Sequence, residues 1–231
     1  MKKRYGKKET VTTQEITEVL SDALPNISAS TISWRINQLK NENLIHQAGR
    51  GLYSFEFKPD YNFDLSLKTK RIYNRVKALA TSEICVWDTN ALDSILGVDN
   101  TKSLIFLSVV KEDLEPLFNN MQAFSKQVFL NPDKETIKRY LKPLEEAIVL
   151  TPMVSETPLI KTGDYVTPTL EGLLVNSLCE FNTTLDPMGY SMRDLFALAF
   201  EKYSINRSKL LRFASRRDKK LEIETLLKNI L

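Results

Sequence analysis

The side chains best suited to chemistry lie between Ser30 and Gln38, and they are hydrogen-bonding groups at helical spacing rather than a catalytic set. If Ile32, Ile36 and Leu39 form the buried stripe of a helix, the period leaves Ser30, Thr31, Ser33, Trp34, Arg35, Asn37 and Gln38 on exposed or flanking faces. Arginine binds guanine through two hydrogen bonds, and glutamine does the same with adenine. Arg35 and Gln38 are therefore the candidate base readers. Ser30, Thr31 and Ser33 lie near the helix N-terminus, where hydroxyls, backbone amides and the positive end of the helix dipole can hold phosphate. Trp34 has two readings: packing beside Tyr53, or lying against a sugar or thymine methyl. Packing is favoured, because tryptophan readily buries its large apolar face. Arg50, between Gly49 and Gly51, can reach the nucleic-acid backbone or an adjacent minor groove. Lys2 and Lys3 supply local positive charge for phosphate contacts.

Catalytic alternatives are thin. His46 is the single histidine and falls in a candidate strand near the N-terminus, so a histidine triad or multi-histidine metal site has no material in the rest of the chain. No glycine-rich phosphate loop or nucleotidyl-transfer signature appears. Asp88, Glu156 and Lys161 each stand near a candidate strand, and two carboxylates with a lysine can hold a divalent ion and a water in a nuclease. Their spacing is poor, and turns, caps and surface ion pairs account for such acids. The sequence reads as a non-enzyme with no metal site and no cofactor.

The elements that present Ser30 to Gln38 follow from local patterns. Ile16, Val19, Leu20, Ala23 and Leu24 recur at helical spacing after a Thr12 or Thr13 cap, with Glu15 or Glu18 in the first turns. Pro25 and Asn26 stop that helix, and Ser28 caps the next one. Leu44 and Ile45 begin an extended run, Gly49-Arg50-Gly51 forms a turn, and Leu52 to Phe57 alternates. Helix, tight turn, helix and hairpin in that order predict a winged helix-turn-helix, whose second helix enters the major groove.

Beyond it, Pro59, Asp60, Asn62 and Asp64 mark a linker. The expected organisation is a winged helix over 1–58, a linker over 59–66, and an α/β (α+β) domain over 67–231 that ends in a helical tail. In that second domain the sequence predicts a helix over 66–80, strands over 84–87 and 103–109, and a short helix over 90–96 between them. A helix over 112–124, a strand over 127–130, a helix over 134–141 and a strand over 147–150 follow. A hairpin turns at Gly163-Asp164, a helix begins at Thr169, and the tail from Met192 to Ile230 is helical with a break near Ser204 to Asn206.

The 231 residues suit two domains, and 42% hydrophobic content with only 7 Gly and 9 Pro is that of a folded chain. A net charge of +3 says little, but its distribution is uneven. Lys2, Lys3, Arg4, Lys7 and Lys8 precede the first acid, and a second basic cluster runs from Lys209 to Lys220. That second cluster reads equally as a solvated face. Cys85 and Cys179 suit free thiols in a reducing cytoplasm. No apolar run is long enough to span a bilayer and no signal-type segment follows the basic start, so a cytoplasmic location is expected.

Residues 32–39 with the wing 49–53, then Ile84-Cys85-Val86-Trp87, then 150–159, 168–175 and 203–214, taken together, resemble the AbiEi-like antitoxins of abortive-infection toxin-antitoxin modules. The resemblance implies a winged helix that represses the module's own promoter at inverted repeats in double-stranded DNA. It also implies a C-terminal domain that counters a nucleotidyltransferase-like toxin, in many cases without a stable complex. Only Met1 to Glu9 remain for the helix that usually precedes this kind of winged helix. No antitoxin residues transfer with the resemblance; Arg207, Lys209, Arg212, Arg216 and Arg217 form the basic surface to mutate first. The alternative is a stand-alone regulator whose α/β domain senses a ligand.

Overall fold

In the computed structural model the chain divides into two compact units, Met1–Asp60 with Lys202–Ser208, and Tyr61–Glu201 with Lys209–Leu231. The structure describes residues 1–6, 8, 10–62, 64–141, 143–185 and 188–230, without the side chains of Lys2, Asn182 and Thr183. It is a mixed α/β protein with three separate small sheets among the described residues.

The first unit begins with a one-turn helix α1 (Lys2–Tyr5) and a two-residue strand β1 (Val11–Thr12). Helix α2 (Thr13–Ala23) starts on a capping box. The Thr12 side chain accepts from the Glu15 amide, and the Glu15 carboxylate accepts from the Thr12 amide at 2.8 Å, so two otherwise orphaned donors are satisfied. Asn26, with φ of 68°, turns the chain into α3 (Ala29–Asn41), which Ser28 caps by accepting from the Thr31 amide at 3.2 Å. Strands β2 (His46–Gly49) and β3 (Leu52–Ser54) form an antiparallel hairpin. β1 adds to β3, giving the order β1-β3-β2. Val11, Ile16, Ile36 and Ile45 form the core, with Ile32, Leu39, Tyr53 and Phe55 packed around them. β3 ends at Ser54, short of the alternating run to Phe57 that the sequence suggests, and β1 is too short for any periodicity to reveal.

The second unit is organised by a four-stranded sheet. Its strands are β4 (Cys85–Asp88), β5 (Ser103–Val109), β6 (Val128–Leu130) and β7 (Glu146–Pro152), in the order β4-β5-β7-β6. β4 runs antiparallel to β5, while β5, β7 and β6 are parallel. The apolar runs in β5 and β7 reflect burial on both faces. On one face Val86, Ile105, Leu107, Ile148 and Leu150 pack under α4 (Leu67–Lys77) and α6 (Leu114–Gln122), through Tyr73, Val76, Leu117 and Met121. Trp87, Leu104, Phe106 and Val149 alternate with them and are also buried. The Trp87 and Phe106 rings stack at 4.0 Å with an interplanar angle of 7°.

Between the strands lie α5 (Asn90–Leu96), closed by Gly97 in the left-handed conformation, and α7 (Lys134–Thr136), continued by a π-helical turn. The hairpin β8 (Leu159–Thr162) and β9 (Tyr165–Pro168) leads into α8 (Leu170–Glu180). A Cβ at Gly172 would meet the Pro158 carbonyl oxygen at 2.9 Å, so this glycine permits the close packing of α8 on the chain before β8. The tail forms α9 (Met192–Lys202), α10 (Arg207–Arg216) and α11 (Lys220–Lys228), with a second break near Asp218, whose φ is 55°. Among the described residues, no helix is long and apolar enough to cross a membrane.

Candidate nucleic-acid interface

α3 buries Ile36 and half-buries Ile32 and Leu39, so its outward face is fixed by the helical period. Ser30, Thr31, Ser33, Trp34, Asn37 and Asn41 are exposed along it. Trp34 keeps 58% of its surface accessible, which corrects the expectation that it packs beside Tyr53. Tyr53 belongs to the core from the β3 side, whereas residue 34 falls half a turn away from Ile32 and Ile36 and has no core to enter.

The two candidate base readers are not equivalent to freely projecting side chains. Arg35 lies on the flank of α3 and is half-buried. Its guanidinium lies 5.0 Å from the Trp34 ring centroid, and Nη1 donates to Gln38 Oε1 at 2.8 Å. Gln38 Nε2 in turn donates to Glu42 Oε1 at 2.8 Å, while Arg35 Nε is buried without a hydrogen-bond partner. The hydroxyls at the helix start are also linked to one another. Ser28 Oγ lies 2.8 Å from Ser30 Oγ and 2.9 Å from Thr31 Oγ1, and Ser33 Oγ donates to the Ala29 carbonyl at 3.1 Å. Asn41 joins the outward face one turn beyond the segment read from sequence; extending the same period would have found it.

The hairpin turn is tied to α2. The Gly51 carbonyl accepts from the Thr13 amide at 2.9 Å and from Thr13 Oγ1 at 3.2 Å. Gly51 has φ of +70°, which favours glycine, and a Cβ there would sit tightly against Thr13 Oγ1 at 3.2 Å. Arg50 is exposed at this turn. A second tie, from Lys40 Nζ to Gln47 Oε1 at 3.1 Å, joins α3 to β2.

The basic start of the chain is partly neutralised. Arg4 Nη1 meets Asp22 Oδ2 at 2.7 Å, and Lys8 Nζ meets Glu15 Oε1 at 2.5 Å. The bond from Lys8, aided by the Thr12 amide, holds the Glu15 carboxyl below its ordinary range. Lys3 is exposed, and the Lys2 side chain lies outside the described residues.

Three side chains of the other basic cluster are engaged by acids of the same unit. Lys209 approaches Glu171 at 3.6 Å, Arg212 approaches Glu156 at 3.6 Å, and Arg216 is hydrogen-bonded to the same Glu156. Arg217 Nε lies 3.2 Å from Cys179 Sγ. Arg207 belongs to the other unit and has interactions of its own. Both cysteines are free, Cys85 buried and Cys179 half-buried.

Asp88, Glu156 and Lys161 each have separate surroundings. Asp88 is fully buried, with Oδ2 accepting from Thr69 Oγ1 at 2.6 Å and from the Ser66 amide at 3.4 Å. Burial pushes its carboxyl upward against these bonds and a weaker contact with the Asn90 amide, and Oδ1 has no hydrogen-bond partner. Glu156 is an exposed turn residue with φ of 60° held between two arginines, and Lys161 is exposed on β8. Among the described residues, no group of three or more His, Cys, Asp or Glu side chains is arranged to hold a metal ion.

The chain is thus a two-unit mixed α/β protein whose first unit presents a polar helix face beside a tied hairpin. Residues 31–231 match the family described as "Family of unknown function (DUF6577)", and the chain belongs to that family. No curated protein matches it.

Proposed function

We propose that this protein is a transcriptional regulator whose first unit is a winged helix that binds double-stranded DNA, with α3 in the major groove and the β2–β3 turn on the flanking backbone. The observation that carries this reading is the outward face of α3. It is long enough to cross a groove, rich in hydroxyl and amide groups, and exposed from Ser30 to Asn41 while the opposite face supplies the core. The strand order β1-β3-β2 and the exposed Arg50 at the turn support it.

In this reading Ser30, Thr31 and Ser33 contact phosphate, Asn37, Gln38 and Asn41 face base edges, and Trp34 lies against sugar or a thymine methyl. Arg35 reads a base once DNA displaces Gln38 as its partner. The resemblance to AbiEi-like antitoxins supplies the biological setting: autorepression of a toxin-antitoxin promoter at inverted repeats, and protection against a nucleotidyltransferase-like toxin.

Fluorescence anisotropy of the full chain against a duplex from its own upstream region, beside a scrambled duplex, tests the DNA reading. Tighter binding to the upstream duplex, weakening steeply with salt, is expected. A flat titration of both duplexes at low ionic strength would overturn it. Growth rescue by the full chain during expression of a neighbouring nucleotidyltransferase-like gene tests the antitoxin setting separately.

A further inference from the structure

α4 carries Lys68, Arg71 and Arg75 at intervals of three and four residues, so the three cations share one helix face. That face borders a cavity of about 270 Å³ between α4, the end of α6 and the first residues of β5 and β7. The cavity is lined by apolar Ile105, Ile148 and Phe124 together with hydrogen-bonding Ser103 and Gln127. Glu146 contributes the negative charge, and Lys68 is paired with it. Arg75 lies seven residues further along α4, roughly 10 Å along the helix axis, and its guanidinium packs 4.0 Å from the Phe124 ring centroid.

The charges are therefore separated along the cavity. Lys68 and Glu146 largely cancel near one end, while Arg71 and Arg75 leave an excess of positive charge toward the other. A bare anion would use the arginines and leave the apolar lining in contact with water. A purely apolar ligand would strand the two arginines, Arg71 and Arg75. The complementary ligand has an anionic group, a flat apolar body, and hydrogen-bond donors for a carboxylate. Guanidinium groups suit a phosphate in particular, because their planar donors match its oxygens.

We propose that this cavity binds a small organic phosphate of nucleoside monophosphate size, with the phosphate on Arg71 and Arg75, the ring against Ile105 and Ile148, and sugar hydroxyls or an exocyclic amine facing Glu146. The site lies at the amino ends of the parallel strands, opposite the edge that open α/β sheets commonly use for ligands. It is independent of the DNA-binding proposal, since its test contains no DNA.

Isothermal titration of the full chain with nucleoside monophosphates of the four common bases, the matching free nucleosides and inorganic phosphate decides the matter. At least one monophosphate should bind saturably with a Kd below about 100 µM. Its free nucleoside and inorganic phosphate should each bind at least tenfold more weakly. Arg71→Glu with Arg75→Glu, both exposed on α4, should weaken the monophosphate at least tenfold with an unchanged circular dichroism spectrum. Glu146→Gln supplies a second readout, weakening the monophosphate but not inorganic phosphate. Absence of saturable heat for all four monophosphates at about 1 mM would overturn the proposal. So would equal binding of inorganic phosphate, which would mark a simple anion patch, or undiminished binding by the double arginine variant.

Discussion

Arg35 donates through Nη1 to Gln38 Oε1 at 2.8 Å, so the two side chains that the sequence nominates as base readers are bonded to each other on the free protein. The chain of bonds continues from Gln38 to Glu42. Reading DNA through Arg35 therefore requires exchanging a side-chain partner for a base edge, and Glu42 adds a negative charge beside the same face.

This relationship separates three substitutions. Arg35→Ala should weaken binding to the upstream duplex by about 1 to 3 kcal/mol and relax preference at one base pair. Gln38→Ala should weaken it less, because it also frees Arg35. Glu42→Gln should tighten binding to every sequence, since it removes a charge that repels phosphate. Anisotropy on single-base variants of the duplex distinguishes these outcomes.

Arg50 at the hairpin turn and Lys3 on α1 are exposed, and phosphate contact is the role assigned to both. Arg50→Ala and Lys3→Ala should each weaken specific and scrambled duplexes alike, and each should reduce the slope of log affinity against log salt by about 1. Arg4→Ala should change that slope less, because Arg4 is already paired with Asp22. Titrations across a salt series provide the comparison.

Thr12 caps the start of α2, and Gly51 ties the hairpin to it through Thr13. Thr12→Ala removes a side-chain cap and should cost about 1 kcal/mol of stability. Gly51→Ala introduces a Cβ at positive φ and against Thr13 Oγ1, and should cost at least about 1 kcal/mol. Urea denaturation monitored by circular dichroism measures both.

Asp88 gives the second unit a pH dependence of definite sign. Burial holds its carboxyl above the ordinary value of 3.8, so the folded state binds the proton more tightly than the unfolded chain does. Its contribution favours folding most when the pH lies below 3.8, and that advantage is lost as pH rises through the interval to the raised folded value. Asp93, raised by burial despite bonds from Asn100 and Tyr190, acts in the same direction. Asp113 and Asp133, lowered by their hydrogen bonds, act oppositely, so the difference between variant and wild type is the informative quantity. Asp88→Asn keeps an acceptor for Thr69 and Ser66 and cannot titrate, so it should flatten this part of the profile. Urea midpoints compared between about pH 4 and pH 8 test it.

Local chemistry was legible without coordinates wherever the partners are close in sequence. Ser28 caps α3, Thr12 and Glu15 close a capping box, and Gly51 occupies a turn, because each contact spans only a few residues or concerns one φ angle. The 103–109 strand and the 90–96 helix were legible for the same reason: an apolar run or a helical period is written directly into the residues that form it. Tertiary structure decided which side chains remain available. It buried Asp88 and gave Arg212 and Arg216 to Glu156. It also put β7 between β5 and β6, and grouped Lys202–Ser208 with the first unit, where the Ser204 amide donates to the Pro59 carbonyl. Those outcomes depend on residues scores of positions apart, whose meeting is set by packing and desolvation across the whole chain rather than by any local pattern.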